Sequence, residues 1–351
     1  MLVLGLESSC DETGAALVDG SGQVLSDVVQ SQAGVHAPYG GVIPELASRD
    51  HLRQIGPVVR EALRRGGARL ADVDGIAVTN RPGLVGALLV GVQAAKAIAW
   101  AAEKPLVGVD HLMGHILSVF VRRGEGDPPP PHFPFVCLVA SGGHTAIYRV
   151  GAPHADAVAE LGATRDDAAG EAFDKVAKLL GLGYPGGPAI DRLAAAGDAA
   201  RVKLTAPMST GPSLEMSFSG IKTQVARLVA ARGAADDPAW VADVCAAFQA
   251  AVTGVLARKA VSAAERERVG DLVLAGGVAA NRELRRRVSD LGAERGVRVV
   301  VPPAVSCTDN AAMIAYAGAA RLGRGDRDGW DLAASGTSVL GPRTRKGRGK
   351  R

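Results

Sequence analysis

Aromatic side chains are scarce, at 4% of 351 residues, so any core must be filled by aliphatic groups. The 45 glycines imply many turns and close backbone contacts. Cysteine is scarcer still. Cys10, Cys137, Cys245 and Cys307 lie far apart and form no Cys-x-x-Cys pair, which excludes a disulfide scaffold and a thiolate zinc site. Free thiols in a reducing compartment, the cytoplasm, are the expectation. The first residues carry no positive cluster and no cleavage pattern, so no secretory signal is expected. Long apolar runs are also missing. Leu84 to Ala102 comes nearest, but it contains Gly86, Gly91, Gln93 and Lys96 and follows the turn at Pro82-Gly83. It reads as a buried helix rather than a membrane span. Excess charge is lacking too. The net charge is +4, but Arg343 to Arg351 alone hold six basic groups and no acid, which leaves −2 for the rest.

What is present is 47% hydrophobic residues in short alternating segments. Leu2 to Leu6 and Gly14 to Val18 read as a hairpin around the polar loop Glu7 to Thr13. Val42 to Arg65 reads as a helix with Leu46, Ile55, Val58, Val59 and Leu63 on one face. Gly75 to Thr79 and Leu106 to Val109 read as strands, the second leading into His111. Five prolines within Asp127 to Pro134 mark a long loop. Beyond it, strand Phe135 to Ala140, loop Ser141 to His144 and strand Thr145 to Val150 repeat the opening order, a weak internal repeat. Residues 155–265 read as mostly helical. Strand Asp271 to Ala275, helix Asn281 to Leu291, strand Val297 to Val301 and helix Thr308 to Leu322 follow. The fold class is therefore α/β with two related lobes. Residues 1–109 form the first lobe and 110–307 the second, with a helical insertion. A C-terminal helix within 308–335 packs back on the first lobe, and 336–351 is a basic tail without fixed structure.

Five segments could carry chemistry. His111 and His115 are spaced i, i+4 on one helix face and can reach one cation. Asp309, after a strand and before a helix, is a candidate third ligand and an equally good helix cap. Two histidines and a carboxylate suit iron(II), zinc or manganese. The loop Val139, Ala140, Ser141, Gly142, Gly143 can bring backbone N–H groups to a phosphate, or be a plain hairpin turn. Gly276-Gly277 leading to Asn281 suits a nucleotide base or ribose, and is expected to face the first loop from the opposite wall of one cleft. The carboxylates Asp167, Glu171 and Asp174 are spaced for one helix face, and Asp174 and Asp191 flank a glycine-rich turn where both can meet one ribose. The loop Glu7 to Thr13 suits a phosphate, a metal-bound water or a proton acceptor.

Glu7 to Thr13, His36 to His51, Asp110 to His115, Ser141 to Thr145, Asp166 to Lys175, Ser217 to Lys222, Gly276 to Asn281 and Cys307 to Asn310 together resemble the TsaD family, the tRNA adenosine threonylcarbamoyltransferases. The motifs run in order over residues 1 to about 320. The resemblance implies the two-lobed actin/Hsp70/sugar-kinase fold with a central nucleotide cleft. It implies one metal, iron(II), on His111, His115 and Asp309. It also implies threonylcarbamoyl adenylate as donor, contacted by Val139 to Gly143, Asp174, Gly187, Asp191 and Asn281. The acceptor is then the adenosine 3′ of the anticodon in tRNAs reading codons that begin with A. Val139 stands where archaeal and eukaryotic relatives have a tyrosine ligand. A TsaB-like paralogous subunit and a small TsaE-like ATPase are the implied partners, with no membrane. No general base stands out among Asp11, Glu12 and His144. The rival readings are a kinase or carbamoyltransferase of the same superfold, a metalloprotease and a non-catalytic nucleotide-binding module. The protease lacks the glutamate that zincins carry between their histidines, a place held here by Leu112. RNA contacts fall to the basic tail, to basic residues elsewhere such as Arg282, Arg285, Arg286 and Arg287, or to a partner subunit.

Overall fold

The computed structural model describes residues 1–232 and 237–340. The basic run Arg343 to Arg351 lies outside the described residues. The chain builds one plan twice. Strands β1 (Leu2–Glu7), β2 (Glu12–Asp19) and β3 (Val24–Ser31) form an antiparallel meander. Helices α1 (Ala33–His36) and α2 (Pro44–Arg65) lead to β4 (Gly75–Arg81), α3 (Val85–Ala101) leads to β5 (Leu106–Asp110), and α4 (His111–Leu117) follows. The sheet order is β3-β2-β1-β4-β5, with β4 and β5 parallel to β1.

The second lobe opens with the meander β6 (Phe135–Ala140), β7 (Thr145–Val150) and β8 (Val158–Ala163). The helical insertion holds α5 (Ala169–Leu179), α6 (Gly186–Ala194), α7 (Ser219–Arg232) and α8 (Pro238–Glu267). Then come β9 (Asp271–Ala275), α9 (Arg282–Glu294), β10 (Arg298–Val300), α10 (Ala304–Cys307) and α11 (Ala311–Gly323). This sheet has the order β10-β9-β6-β7-β8, the first order read from its other end. The internal repeat is therefore a shared topology.

Burial explains which strands could be read from the sequence. The central strands β4, β6 and β9 are enclosed almost throughout, and β6, Gly75 to Val78 of β4 and Leu272 to Ala275 of β9 show as apolar runs. Edge strands β3 and β8 mix polar and small residues on half-exposed faces. They were not expected as strands, because pairing with β2 and β7 rather than side-chain pattern creates them. Two helices also differ from expectation. Helix α3 buries Ala87, Leu88, Val92, Ala95 and Ala99 but exposes Val85, Leu89 and Trp100, so it is half-buried. The one described helix long and apolar enough to cross a membrane is α8, and most of it lies inside the second lobe.

Helix α11 returns to the first lobe and packs across β1, β2 and β4. The approach is close: a methyl on Gly5 would lie 2.5 Å from the Ala311 carbonyl oxygen and the Ala315 nitrogen. The helix stops at Gly323, well short of residue 335. Residues 324–340 form an irregular strap along edge strand β5. Asp328 N donates to the Leu106 carbonyl at 2.8 Å. Gly108 N donates to Asp328 Oδ2 at 2.7 Å, and Asn80 Nδ2 donates to the Ala333 carbonyl at 3.0 Å. Ser338 Oγ and Val339 N then donate to Asp110 Oδ2 at 2.7 and 2.9 Å. The strap occupies backbone groups that an edge strand would leave open. Residues 336–340, expected in a tail without fixed structure, instead belong to this strap. Gly5→Val should push α11 off the sheet, lowering stability by about 1–3 kcal/mol in urea unfolding; a variant as stable as the parent would refute this packing.

Candidate metal centre and substrate loops

The carboxyl ends of β1, β4 and β5 deliver Glu7, Thr79 and His111 to one point. Asp110 starts α4 by accepting from Leu112 N at 3.0 Å, which sets His111 and His115 on the first turns of a buried helix. Their rings meet edge to face with centroids 4.6 Å apart. Asp309 comes from the other end of the chain. The cap of α11 is Asn310, whose Oδ1 accepts from Met313 N at 3.0 Å, so Asp309 is not spent on capping. Asp309 Oδ1 lies 3.1 Å from His115 Nε2 and 3.5 Å from His111 Nε2. One ligand atom from each of the three residues falls within 4.8 Å of the others.

These residues fit a cation. His115 is fully buried, yet neither of its ring nitrogens has a hydrogen-bond partner among the described residues. Its 3.1 Å approach to Asp309 lacks hydrogen-bond geometry, so the two atoms stand side by side and converge on a common point. A buried imidazole without partners is costly unless something binds it. Asp309 keeps 23% of its side chain open, so the point is reachable from the cleft.

The site is electrostatically hungry for positive charge. Burial opposes a charge on His111, but Asp309 and Glu7 outweigh it and draw its pKa well above the usual range. Burial likewise resists ionisation of Asp309 and Glu7, but His111 holds both below the ordinary carboxylate range, helped at Asp309 by His115 and at Glu7 by Thr79. Glu12 is pushed up to about 9 by burial, then by Asp309 and Asp11. His144 is pushed down to about 4 by burial, then by His111 and His115. It is neutral at pH 7 and stands near enough to feel both rings.

The glycine loops border the same place. β6 and β9 are parallel neighbours, so the loops that follow them lie side by side and not on opposite walls. Gly276, at φ 86°, is pressed against the Ala140 carbonyl, where no larger residue fits. At Gly142, Gly143, Gly187 and Gly277 the opposite holds: an added Cβ would meet nothing within 4 Å. Four glycines thus leave their backbones open. Val139 and Ala140 are buried in β6, and Ser141 closes the turn through its backbone bond to His144 at 2.8 Å.

Asn281 Oδ1 caps α9 through Leu284 N at 2.9 Å, and its amide donates to Gln249 Oε1 at 2.8 Å and Asp191 Oδ1 at 3.2 Å. Asp191 also holds Arg282 at 2.7 Å. Asp174 accepts from Gly186 N at 2.7 Å and so sits at the start of α6, one turn before Asp191. Asp191, Gln249, Arg282 and Arg286 line a hollow of about 360 Å³. The expected acidic face of α5 is divided. Asp167 precedes the helix, Lys175 gathers Asp167 and Glu171 at 2.8 Å each, and only Asp174 turns to α6.

Comparison with known proteins decides the assignment. The sequence profile of the family described as tRNA N6-adenosine threonylcarbamoyltransferase (TsaD) matches residues 23–316. A protein of that name from Sorangium cellulosum is 62% identical over 357 residues, covering all of both chains. One from Anaeromyxobacter dehalogenans is 53% identical over 334 residues, covering 95% of this chain and 97% of its own. The chain belongs to this family. It is a transferase that modifies adenosine in tRNA at N6 with a threonylcarbamoyl group. Among solved structures, component A of the Acidaminococcus fermentans (R)-2-hydroxyglutaryl-CoA dehydratase superposes with a TM-score of 0.55 at 15% identity, covering 91% of this chain and 99% of that one. The Clostridium difficile 2-hydroxyisocaproyl-CoA dehydratase activator with bound ADPNP gives 0.51 at 14%, covering 93% and 99%. The shared fold is the two-lobed actin-like ATPase architecture. The kinase, protease and non-catalytic readings fall away.

In this transferase the sequence hid several partners of the site. Glu7 Oε2 lies 3.0 Å from His111 Nδ1. Tyr184 Oη donates across the cleft to Asp11 Oδ2 at 3.0 Å. Gln249 holds the Asn281 amide. The motifs contain Glu7, but no local signal reports a contact over such sequence distances. In the metal-free protein, attraction between protonated His111 and the carboxylates stabilises the fold below the ordinary histidine range, and is lost as pH rises through the raised pKa. Asp309→Asn removes the stronger of the two attractions, so His111 should titrate lower than in the parent in an NMR titration without metal. An unchanged midpoint would contradict the geometry.

Proposed function

We propose that this transferase takes its acyl group from threonylcarbamoyl adenylate, and that His111, His115 and Asp309 hold one divalent metal, iron(II) ahead of zinc or manganese. The observation that carries the reading is the unpartnered, buried His115 converging with His111 and Asp309 beside four glycines whose backbones face open space. Two histidines and a carboxylate with open positions form the ligand set of non-haem iron(II). When bound, the metal supplies Lewis-acid stabilisation of charge developing on oxygen.

The rest of the work falls to the chain. The backbone N–H groups of Gly142 and Gly143, beside Ser141, hold the adenylate phosphate. Asp174, Gly187, Asp191 and Asn281 receive the nucleoside beside the hollow that Gln249 and Arg282 help to line. In the transfer, N6 of adenosine forms a bond to the carbamoyl carbon, the carbon–oxygen bond to phosphate breaks, AMP leaves with the electron pair, and N6 gives up a proton. Holding both reactants in line supplies much of the rate. His144, kept neutral by burial, offers a lone pair near that proton. The acceptor on this reading is the adenosine 3′ of the anticodon in tRNAs for codons that begin with A. A TsaB-like subunit and a TsaE-like ATPase are the proposed partners, and the cytoplasm the proposed location, supported there by four free cysteines.

Two experiments test this. Depleting the protein should remove threonylcarbamoyladenosine from tRNA by nucleoside mass spectrometry, with restoration by the parent gene and not by His115→Ala. Restoration by His115→Ala would refute the metal reading. Asn281→Ser keeps a good helix cap but loses the amide bonds to Gln249 and Asp191, so stability should fall by about 1–3 kcal/mol. Its shortened reach should still weaken adenylate binding in calorimetry at least tenfold, about 1.4 kcal/mol; unchanged affinity would remove Asn281 from the site.

A further inference from the structure

We infer that Glu7 is the positioning carboxylate of the metal centre: it fixes His111 in the tautomer that carries hydrogen on Nδ1 and so turns Nε2 towards the cation. This rests on the metal reading above. Glu7 is completely buried at the end of β1. A carboxylate there is tolerated only if donors surround it. Three do. Ser9 N donates to Oε1, Thr79 Oγ1 donates to Oε2 at 2.6 Å, and His111 Nδ1 lies 3.0 Å from Oε2.

The backbone and hydroxyl donors fix where the carboxylate sits, so its free direction is set towards the ring. Thr79 comes from β4, the strand beside β1, and cannot move without the sheet. The far nitrogen, Nε2, faces Asp309 Oδ1 at 3.5 Å. A carboxylate on one ring nitrogen and a metal on the other is how ligating histidines are commonly oriented. Ser9 Oγ is the competing partner, 3.3 Å from the same Nδ1. It is the weaker candidate, being farther away and uncharged. His115 has no such support on either nitrogen among the described residues. His111 is therefore the oriented ligand of the pair, and Glu7 is what orients it.

The test uses cobalt(II) alone as probe, titrated into the full chain and followed by its visible absorption, with thermal melting of the metal-free protein alongside. Glu7→Gln should bind cobalt about 10–100-fold more weakly, with altered ligand-field bands. Thr79→Val leaves the carboxylate in place but frees it to turn, and should give a smaller loss with the same spectral change. Ser9→Ala should bind as the parent does. A purely structural role for Glu7 would lower the melting point and leave cobalt affinity and bands alone, and cobalt binding by Glu7→Gln within about twofold of the parent would overturn the proposal. If Glu7→Gln does not fold, Thr79→Val decides: unchanged affinity and bands overturn it. Parent protein that takes no cobalt, or His115→Ala that binds as well as the parent, overturns the metal reading and this proposal with it. Parent binding that His115→Ala abolishes and Glu7→Gln leaves intact overturns this proposal alone.

Discussion

Two carboxylates, Glu7 and Asp309, flank the buried imidazole of His111, and none of the three can be charged or neutral independently of the others. Desolvation alone would empty such a site of charge. Here it is outweighed because the groups arrive from three distant parts of the chain. Glu7 ends the first strand, the histidines begin the helix after β5, and Asp309 precedes the last helix. Folding must therefore close the chain on itself before the charges find partners. The near fit of α11 against Gly5 brings Asp309 to within 3.5 Å of both rings, and it depends on one residue without a side chain. A core built largely from alanine, valine and leucine makes that approach possible; bulkier aromatics would hold the helix away.

The repeated sheet plan decides where chemistry can occur. In each lobe a meander turns into parallel strands, and the loops at the carboxyl ends of the parallel strands are free to bind. In the first lobe those ends give the charged cluster. In the second they give the open-backbone glycines. Tyr184, whose hydroxyl reaches Asp11, and Lys178, which reaches the Tyr39 carbonyl at 3.5 Å, tie the two sets of loops together across the cleft. The same architecture thus keeps the charged cluster and the open-backbone glycines on separate lobes joined by these contacts.

Legibility followed burial and locality. Phe135–Ala140 could be bounded to the residue because an enclosed strand is a continuous apolar run ended by a polar turn, and Thr145–Val150 because it returns from that turn in register with it. The half-exposed strands β3 and β8 could not, since only their hydrogen-bonded neighbours make them strands. The spacing of His111 and His115 was visible because both lie on one helix. The choice of Asp309 over Asn310 as the free side chain was not, because either suits a cap and only the fold decides between them. The strap of residues 324–340 has no period at all: its order comes from unpaired groups on β5, which no local pattern encodes.

Charge gives the same lesson about RNA. In sequence, Arg282, Arg285, Arg286 and Arg287 form a dense basic cluster of the kind that releases counterions from a phosphate backbone. In the fold, Arg282 is paired with Asp191, and Arg286 is paired with Glu283 and Asp290. Arg287 shares Glu283, and Arg285 turns inward to the Ala279 carbonyl at 2.6 Å. A cation already matched by an acid gains little from a phosphate, because one ion pair is exchanged for another and few bound counterions are released. The arginines of α9 therefore serve the lobe first: they hold Asp191 beside Asn281 and brace the helix that Asn281 caps. Their number in the sequence overstates the positive field they project.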